Sequence, residues 1–132
     1  MYDDAVADLG PLRDENRLIV KEGLKVLSQT RTGGLGRLKQ LAGIADQEIT
    51  AAHIGFKLAP RINAAGRIGD PYRALALLLD EVTPEKITAA ADYLEQTNEK
   101  RRELTHKAEL EIIALLDLAH PPSIIIEQSA DW

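Results

Sequence analysis

The sequence predicts a mainly α-helical chain of about five helices, one of them a long interdomain connector helix, followed by one terminal β-strand. Two observations support this. Apolar residues recur at helical spacing in several stretches, and only one short run near the end, residues 123–127, is apolar and rich in β-branched residues. With 132 residues, 45% of them hydrophobic and 28% charged, the chain has the composition of one core-forming domain or of a piece of a larger protein.

Composition excludes several kinds of protein. Without cysteine there is no disulfide framework, no thiolate zinc site and no cysteine nucleophile. A net charge of −5 and an aromatic content of 4% argue against a protein that coats nucleic acid with its whole surface or with many stacking platforms. No apolar run approaches the ~20 residues that cross a bilayer, and no secretory signal is visible. We therefore expect a cytoplasmic protein without a membrane segment.

Two helices are predicted in the first third of the chain. The first is capped near Asp14 and carries apolar residues at helical spacing, namely Val20, Leu24 and Leu27. A break at residues 32–34 separates it from a short helix that ends at Gly43 and carries Leu35, Leu38 and Leu41. The glycine-rich residues 33–36 lack the strand and the Gly-Lys-Ser/Thr of a phosphate-binding loop, so we interpret them as a flexible turn.

The next two helices are marked by capping residues and prolines. Thr50 caps a third helix, which Pro60 is expected to stop and whose apolar residues are Ile54, Phe56 and Leu58. Residues 60–69 are then predicted to be a loop. The pair at residues 70–71, Asp-Pro, starts a fourth helix, which is predicted to carry inward Leu75, Leu78 and Leu79.

A fifth, long helix is predicted to start at residues 83–85, Thr-Pro-Glu, because no proline or glycine follows before Pro121. Its inward positions are apolar at both ends, for example at Leu94, and polar in the middle, at Asn98, Arg101 and Thr105. Such a helix usually bridges two bodies through solvent, which suggests an interdomain connector. The strand at 123–127 needs neighbouring strands, so we expect the chain to be the interior of a larger protein.

The densest candidate for chemistry is the segment from residue 57 to residue 73, which has four positive residues and one negative residue. Its small residues would let a phosphate approach closely, and Arg61 and Arg67 would clamp it. An alternative is a helix-to-helix turn whose arginines pair with acidic neighbours. The residues alone leave both interpretations open.

Two further candidates are weaker. Lys100, Arg101 and Arg102 form a positive cluster on the predicted connector, where they would contact a nucleic-acid backbone if the helix faces a cleft. The alternative is a solvated face paired within the helix. Asp8 follows a strand-like piece and precedes a turn, a place where α/β enzymes hold site residues, although by default an aspartate there has a turn or cap role.

Motifs along nearly the whole chain resemble those of one family. They are Val6-Ala7-Asp8-Leu9-Gly10-Pro11-Leu12, Glu15-Asn16-Arg17, Gly23-Leu24, Pro60-Arg61-Ile62-Asn63-Ala64-Ala65-Gly66-Arg67, Asn98 and Arg101. Together they resemble the RecJ family, bacterial single-strand-specific 5′→3′ exonucleases of the DHH phosphoesterase superfamily. The most specific part of the resemblance is the string at residues 60–67.

The resemblance implies an α/β enzyme of two domains, DHH and DHHA1, joined by the long helix, with single-stranded DNA in the cleft between them. It implies a two-metal Mn²⁺ or Mg²⁺ site, and a role in DNA repair and recombination beside other DNA-repair proteins. Residues 1–82 would be the C-terminal part of the DHH domain, 83–120 the connector, and 121–132 the first strand of a truncated DHHA1 domain.

The resemblance also implies roles for individual residues. Asp8 matches a metal-ligating aspartate. The residues expected to bind nucleic acid are Arg61, Asn63, Arg67, Lys100, Arg101 and Arg102. Because the family's Asp-x-Asp and Asp-His-His motifs are absent from the sequence, no catalytic residue is assigned, and we expect this chain not to hydrolyse DNA unaided.

Two other functions remain open from the sequence. One is a non-catalytic helical module, in which residues 35–58 bind DNA or a partner protein as a helix-turn-helix, although its second helix carries only Lys57 as a firm positive charge. The other is a different DHH phosphoesterase that acts on short oligonucleotides and has less need of a cationic connector.

Overall fold

The computed structural model describes residues 6–7, 10–79, 83–116, 124–126 and 128–129, and these residues form helices and connecting turns without a strand. The elements are α1 (Asp14–Gln29), α2 (Gly33–Leu41), α3 (Ala51–His53), a π-helical turn (Ile54–Leu58), α4 (Ala59–Ile68), α5 (Pro71–Leu79) and α6 (Pro84–Leu115). The prediction of a mainly α-helical chain is confirmed. Residues 124–126 are exposed and are not in a strand, because the described residues offer no neighbouring strand for them to pair with.

The chain divides into two compact units, Met1–Asn98 and Glu99–Trp132, and the boundary falls within α6. The core of the first unit is built from residues of α1, α2, the π-helical turn, α4, α5 and α6, including Leu38, Leu58, Leu77 and Leu94. No helix among the described residues combines the length and the apolar content that a membrane span requires.

The first two helices follow the predicted pattern. Helix α1 begins at Asp14, but the predicted cap is wrong, because the N-cap position is Arg13 and no side chain caps the helix. Of its predicted inward residues, Val20 and Leu27 are buried and Leu24 is half-buried. Helix α2 ends at Leu41, and Gly43 follows with a φ of +67°, in the left-handed region that favours glycine.

The interpretation of residues 33–36 as a flexible turn is wrong, because they form the first turn of α2. Gly34 is buried against α5, and a Cβ added there would collide with the carbonyl oxygen of Leu77. Gly36 is also closely packed, since a Cβ added there would lie 2.6 Å from the carbonyl carbon of Arg31. These glycines therefore allow backbones to pack closely.

Lys39 is fully buried and connects α2 to the end of α1. Its ammonium group donates hydrogen bonds to the carbonyl oxygens of Leu27 at 2.6 Å, Thr30 at 2.8 Å and Ser28 at 3.3 Å. Carbonyls at a helix end have no partner within the helix, so Lys39 supplies one. Burial lowers the pKa of Lys39 from its ordinary value, because the charged form loses hydration.

The predicted cap of the third helix is confirmed, but its predicted end is wrong. Thr50 Oγ1 accepts a hydrogen bond from the backbone N–H of His53, and His53 Nδ1 accepts one from the N–H of Thr50. The helical path then continues through the π-helical turn into α4, so residues 60–68 are not a loop. Pro60 lies in the first turn of α4, where a missing N–H is tolerated.

Two predicted apolar faces differ from the structure. Ile54 and Leu58 are buried, whereas Phe56 between them is 83% exposed. In α5 the buried residues are Ala74 and Leu77, and the three predicted inward residues are exposed, namely Leu75, Leu78 and Leu79. Helix α5 is apolar on nearly all sides, so its sequence does not determine which face is buried. The buried face is determined by the close contact of Leu77 with Gly34.

Helix α6 begins at Pro84, as predicted, and runs as one helix to Leu115. Hydrogen bonds from the backbone N–H of Glu85 and from the Thr83 hydroxyl lower the pKa of the Glu85 carboxyl, which fits a carboxylate in a first helical turn. The predicted inward residues Ala91, Leu94 and Asn98 are buried. After residue 98, none of the described residues of α6 is buried.

Candidate nucleic-acid interface

Arg61 is held by protein groups on all sides of its guanidinium. Its Nε and Nη2 donate hydrogen bonds to the two carboxylate oxygens of Glu95, at 2.5 and 3.0 Å, and its Nη1 donates to the carbonyl oxygen of Lys57 at 2.6 Å. Only 15% of the Arg61 side chain and 21% of the Glu95 side chain are exposed. The ion pair therefore connects α4 to the first half of α6. For Arg61, this is the pairing with an acidic residue that the alternative interpretation of the segment predicts.

Asn63 and Arg67 have a different environment. Both are exposed, and because they are four residues apart in α4 they share one face of the helix. Arg61 lies about 120° around the helix from Arg67 at 3.6 residues per turn. The structure thus brings Asn63 and Arg67 together but does not direct Arg61 and Arg67 at one phosphate.

The small residues of the segment also separate into two groups. Ala64 and Ala65 are fully buried, so their size serves the packing of α4 into the core. Gly66 is exposed, and a Cβ added there would meet no atom within 4 Å. Of the small residues at 64, 65 and 66, Gly66 alone is exposed, so it is the one that leaves room for a ligand next to Arg67.

Arg73, the last cation of the segment, lies in the first turn of α5 and contacts two other residues. Its guanidinium carbon lies 4.5 Å from the centre of the Tyr93 ring, and its Nε lies 3.8 Å from the Asp70 carboxylate. The Tyr93 hydroxyl in turn accepts a hydrogen bond from the backbone N–H of Asp70 at 2.8 Å. Within the described part of the chain, Lys57 and Arg67 are the two cations of this segment that make no ion pair.

Sequence reasoning did not select Phe56 as a functional residue. The available signal was its spacing, because a residue two positions from Ile54 and two from Leu58 points away from both in a helix. The structure bears this out with an exposed ring on the π-helical turn that leads into α4.

The positive cluster of α6 lies in the second unit. Lys100 and Arg102 are exposed and Arg101 is half-buried, as expected for consecutive residues that point about 100° apart. Further along the helix, an ion pair among the described residues joins Lys107 to Glu111 at 3.6 Å, and His106 Nδ1 lies 3.8 Å from the Glu109 carboxylate. Nucleic-acid binding by the cluster stays a prediction.

Asp8 lies outside the described residues. The residues that the structure does describe contain no group of three or more His, Cys, Asp or Glu side chains able to hold a metal ion. Their donor set therefore does not fit a two-metal site by itself.

The chain is similar to RecJ proteins in sequence and structure. It is 40% identical over 112 residues to the single-stranded-DNA-specific exonuclease RecJ of Bacillus subtilis, and this match covers 85% of the chain. Two crystal structures of RecJ from Thermus thermophilus, in complex with Mg²⁺ and with Mn²⁺, match it with TM-scores of 0.75 and 0.76 at 32% identity, over 86% and 89% of the chain. No protein-family model matches the chain.

The chain is much shorter than the proteins it matches. It spans 14% of the Bacillus subtilis protein, and 18% and 17% of the two Thermus thermophilus chains.

Proposed function

The chain belongs to the RecJ family, and from this premise we propose that it is a segment of a single-stranded-DNA-specific 5′→3′ exonuclease that contacts DNA through the outer face of α4. This face consists of Asn63, Gly66 and Arg67. The observation that carries the proposal is that residues 60–67 have two different environments. Arg61 is paired with Glu95 and Ala64 and Ala65 are buried in the core, whereas the outer face is exposed to solvent. Arg67 offers a planar fork of donors that suits a phosphate.

In this proposal Arg61 is a positioning residue. Its side chain is engaged with Glu95, so it sets the orientation of α4 and hence of Asn63 and Arg67. Lys100, Arg101 and Arg102, in the second unit, are a separate candidate for contact with a nucleic-acid backbone.

We extend the proposal to the domains. Residues 1–82 belong to a DHH domain, 83–120 to the connector and 121–132 to the first strand of DHHA1. The long helix α6 and the boundary between compact units after Asn98 support a connector in this position. Repair and recombination of DNA in the cytoplasm, with other repair proteins, is the wider role that fits the family.

Asp8 is our candidate for one ligand of a Mn²⁺ or Mg²⁺ centre whose other ligands lie outside this chain. Carboxylate oxygens suit both ions, and the ions would supply an activated water and charge neutralisation at the phosphodiester. Since the described residues form no metal-binding group, we expect no release of nucleotides from labelled single-stranded DNA by this chain with Mn²⁺ alone. Release above a metal-only blank would contradict this expectation.

The proposal is tested by Arg67→Ala. We expect the dissociation constant of the chain for a 5′-phosphorylated single-stranded oligonucleotide to rise about tenfold, since one charge-assisted hydrogen-bonded contact is lost. Fluorescence anisotropy at fixed salt measures it. Arg13→Ala is the matched control, because Arg13 is also exposed and its removal changes net charge equally. An equal effect of both substitutions, or of neither, would remove the assignment of Arg67.

A further inference from the structure

Phe56 is the one phenylalanine of the chain, and its side chain is 83% exposed. A single exposed apolar residue is ordinary on a protein surface, so exposure alone carries no inference. Its position is the informative feature. Phe56 lies seven residues before Asn63 and eleven before Arg67, spacings that return to about the same side of an α-helix. The π-helical turn that contains Phe56 turns the ring from that line by less than one residue position, so Phe56 stays on the side of Asn63 and Arg67.

These three residues are exposed and follow one another along the helical path. We call Phe56, Asn63 and Arg67 the stripe; along the helix axis it spans about 16 Å at a rise of ~1.5 Å per residue. That length corresponds to about four to five stacked nucleotides at ~3.4 Å each.

The charge of the surroundings also suits a polyanion. No aspartate or glutamate occurs from residue 49 to residue 69, although the chain as a whole has a net charge of −5. Lys57 and Arg67 supply positive charge in this interval and make no ion pair with the described residues. The Glu95 carboxylate that packs against this interval is paired with Arg61, so its charge is neutralised there, and the stripe itself carries no acidic side chain to repel a phosphate backbone.

The backbone at Phe56 is unusual as well. The N–H of Ala59 donates to the carbonyl oxygen of Ile54, five residues back, which defines the π-helical turn. Such turns are rare and are frequent at functional sites. Here Ile54 and Leu58 are buried, at 3% and 0% exposure, so one side of the turn packs into the core. The Phe56 ring lies on the opposite, exposed side.

We propose that Phe56 is a stacking platform for one base of a single-stranded nucleic acid that runs along the stripe. An aromatic ring stacks on any base, so it provides binding without sequence preference, while Arg67 holds a phosphate and Asn63 offers amide hydrogen bonds. A base in a duplex is already stacked on its neighbours, so the platform favours single strands. This inference rests on the proposed function. The inference requires only one aromatic side chain for stacking, so it is compatible with the chain's aromatic content of 4%.

The test uses the 132-residue chain and single-stranded oligonucleotides that contain 2-aminopurine, whose fluorescence is quenched by stacking. We expect wild-type binding to change the 2-aminopurine signal. Phe56→Ala should raise the dissociation constant about 5- to 150-fold and abolish that change, the range that stacking one base supplies. Phe56→Leu, which keeps an apolar side chain, should behave like Phe56→Ala, and Phe56→Trp should retain binding.

Leu79→Ala is the matched control, since Leu79 is also an exposed apolar side chain, at 56%, but lies off the stripe. Circular dichroism of each variant monitors helix content. Unchanged binding and quenching in Phe56→Ala and Phe56→Leu, with DNA binding by the wild type intact, would overturn the platform and leave the proposed function standing. No DNA binding by the wild-type chain would overturn both. Reduced self-association of Phe56→Ala with unchanged DNA binding would instead make the stripe an interface between copies of the chain.

Discussion

Arg61 and Arg67 show how the same residue type takes different roles six positions apart. From the sequence both were candidates for a phosphate clamp. The residue that distinguishes them is Glu95, which lies 34 positions after Arg61 and reaches its guanidinium only in the folded chain. The sequence thus predicts which cations are close together along the chain, whereas tertiary packing determines the partner of each of them.

Arg61→Ala should lower the free energy of unfolding by about 2–4 kcal/mol, because it leaves the largely buried Glu95 carboxylate without its partner. Arg67→Ala should change it by less than about 0.5 kcal/mol, as is usual for an exposed side chain without a partner. Urea unfolding followed by circular dichroism measures both. Equal destabilisation by the two substitutions would show that the roles assigned to them are wrong.

At the scale of elements, the sequence predicts those helices that have a clear start signal and one apolar face. The start of α1, the Thr50 cap and the start of α6 are local features, and all three are confirmed. The path through Pro60 was missed because a proline signals a helix end locally, while here it opens a new helix after a π-helical turn. The buried face of α5 was missed because packing against Gly34 selects it.

Gly34→Ala should destabilise the chain by about 1–3 kcal/mol, since the added methyl group would collide with the backbone of Leu77 and force α2 and α5 apart. Gly66→Ala is the matched comparison. Gly66 lies inside α4 with no atom within 4 Å of an added Cβ, so alanine there should stabilise by about 0.5–1 kcal/mol. Thermal and urea unfolding of the two variants should therefore shift in opposite directions, and shifts in the same direction would contradict the described packing.

At the scale of the whole molecule, the string at residues 60–67 pointed to the family, and similarity to RecJ over 85% of the chain supports the same conclusion. What the sequence leaves undetermined is which members of that string face solvent. The structure separates them: buried alanines and a paired Arg61 on one side, exposed Asn63, Gly66 and Arg67 on the other. The metal site depends on residues beyond those described, so it stays a proposal.

The central claim is that the outer face of α4, continued by Phe56, contacts single-stranded DNA. Photo-crosslinking of the wild-type chain to 5′-phosphorylated DNA that contains 5-iodouracil, followed by peptide mapping, tests it directly. We expect crosslinks within residues 54–67 that unlabelled single strands compete away more effectively than duplex does. Crosslinks confined to other parts of the chain, such as α1 or residues 99–116, would contradict the account.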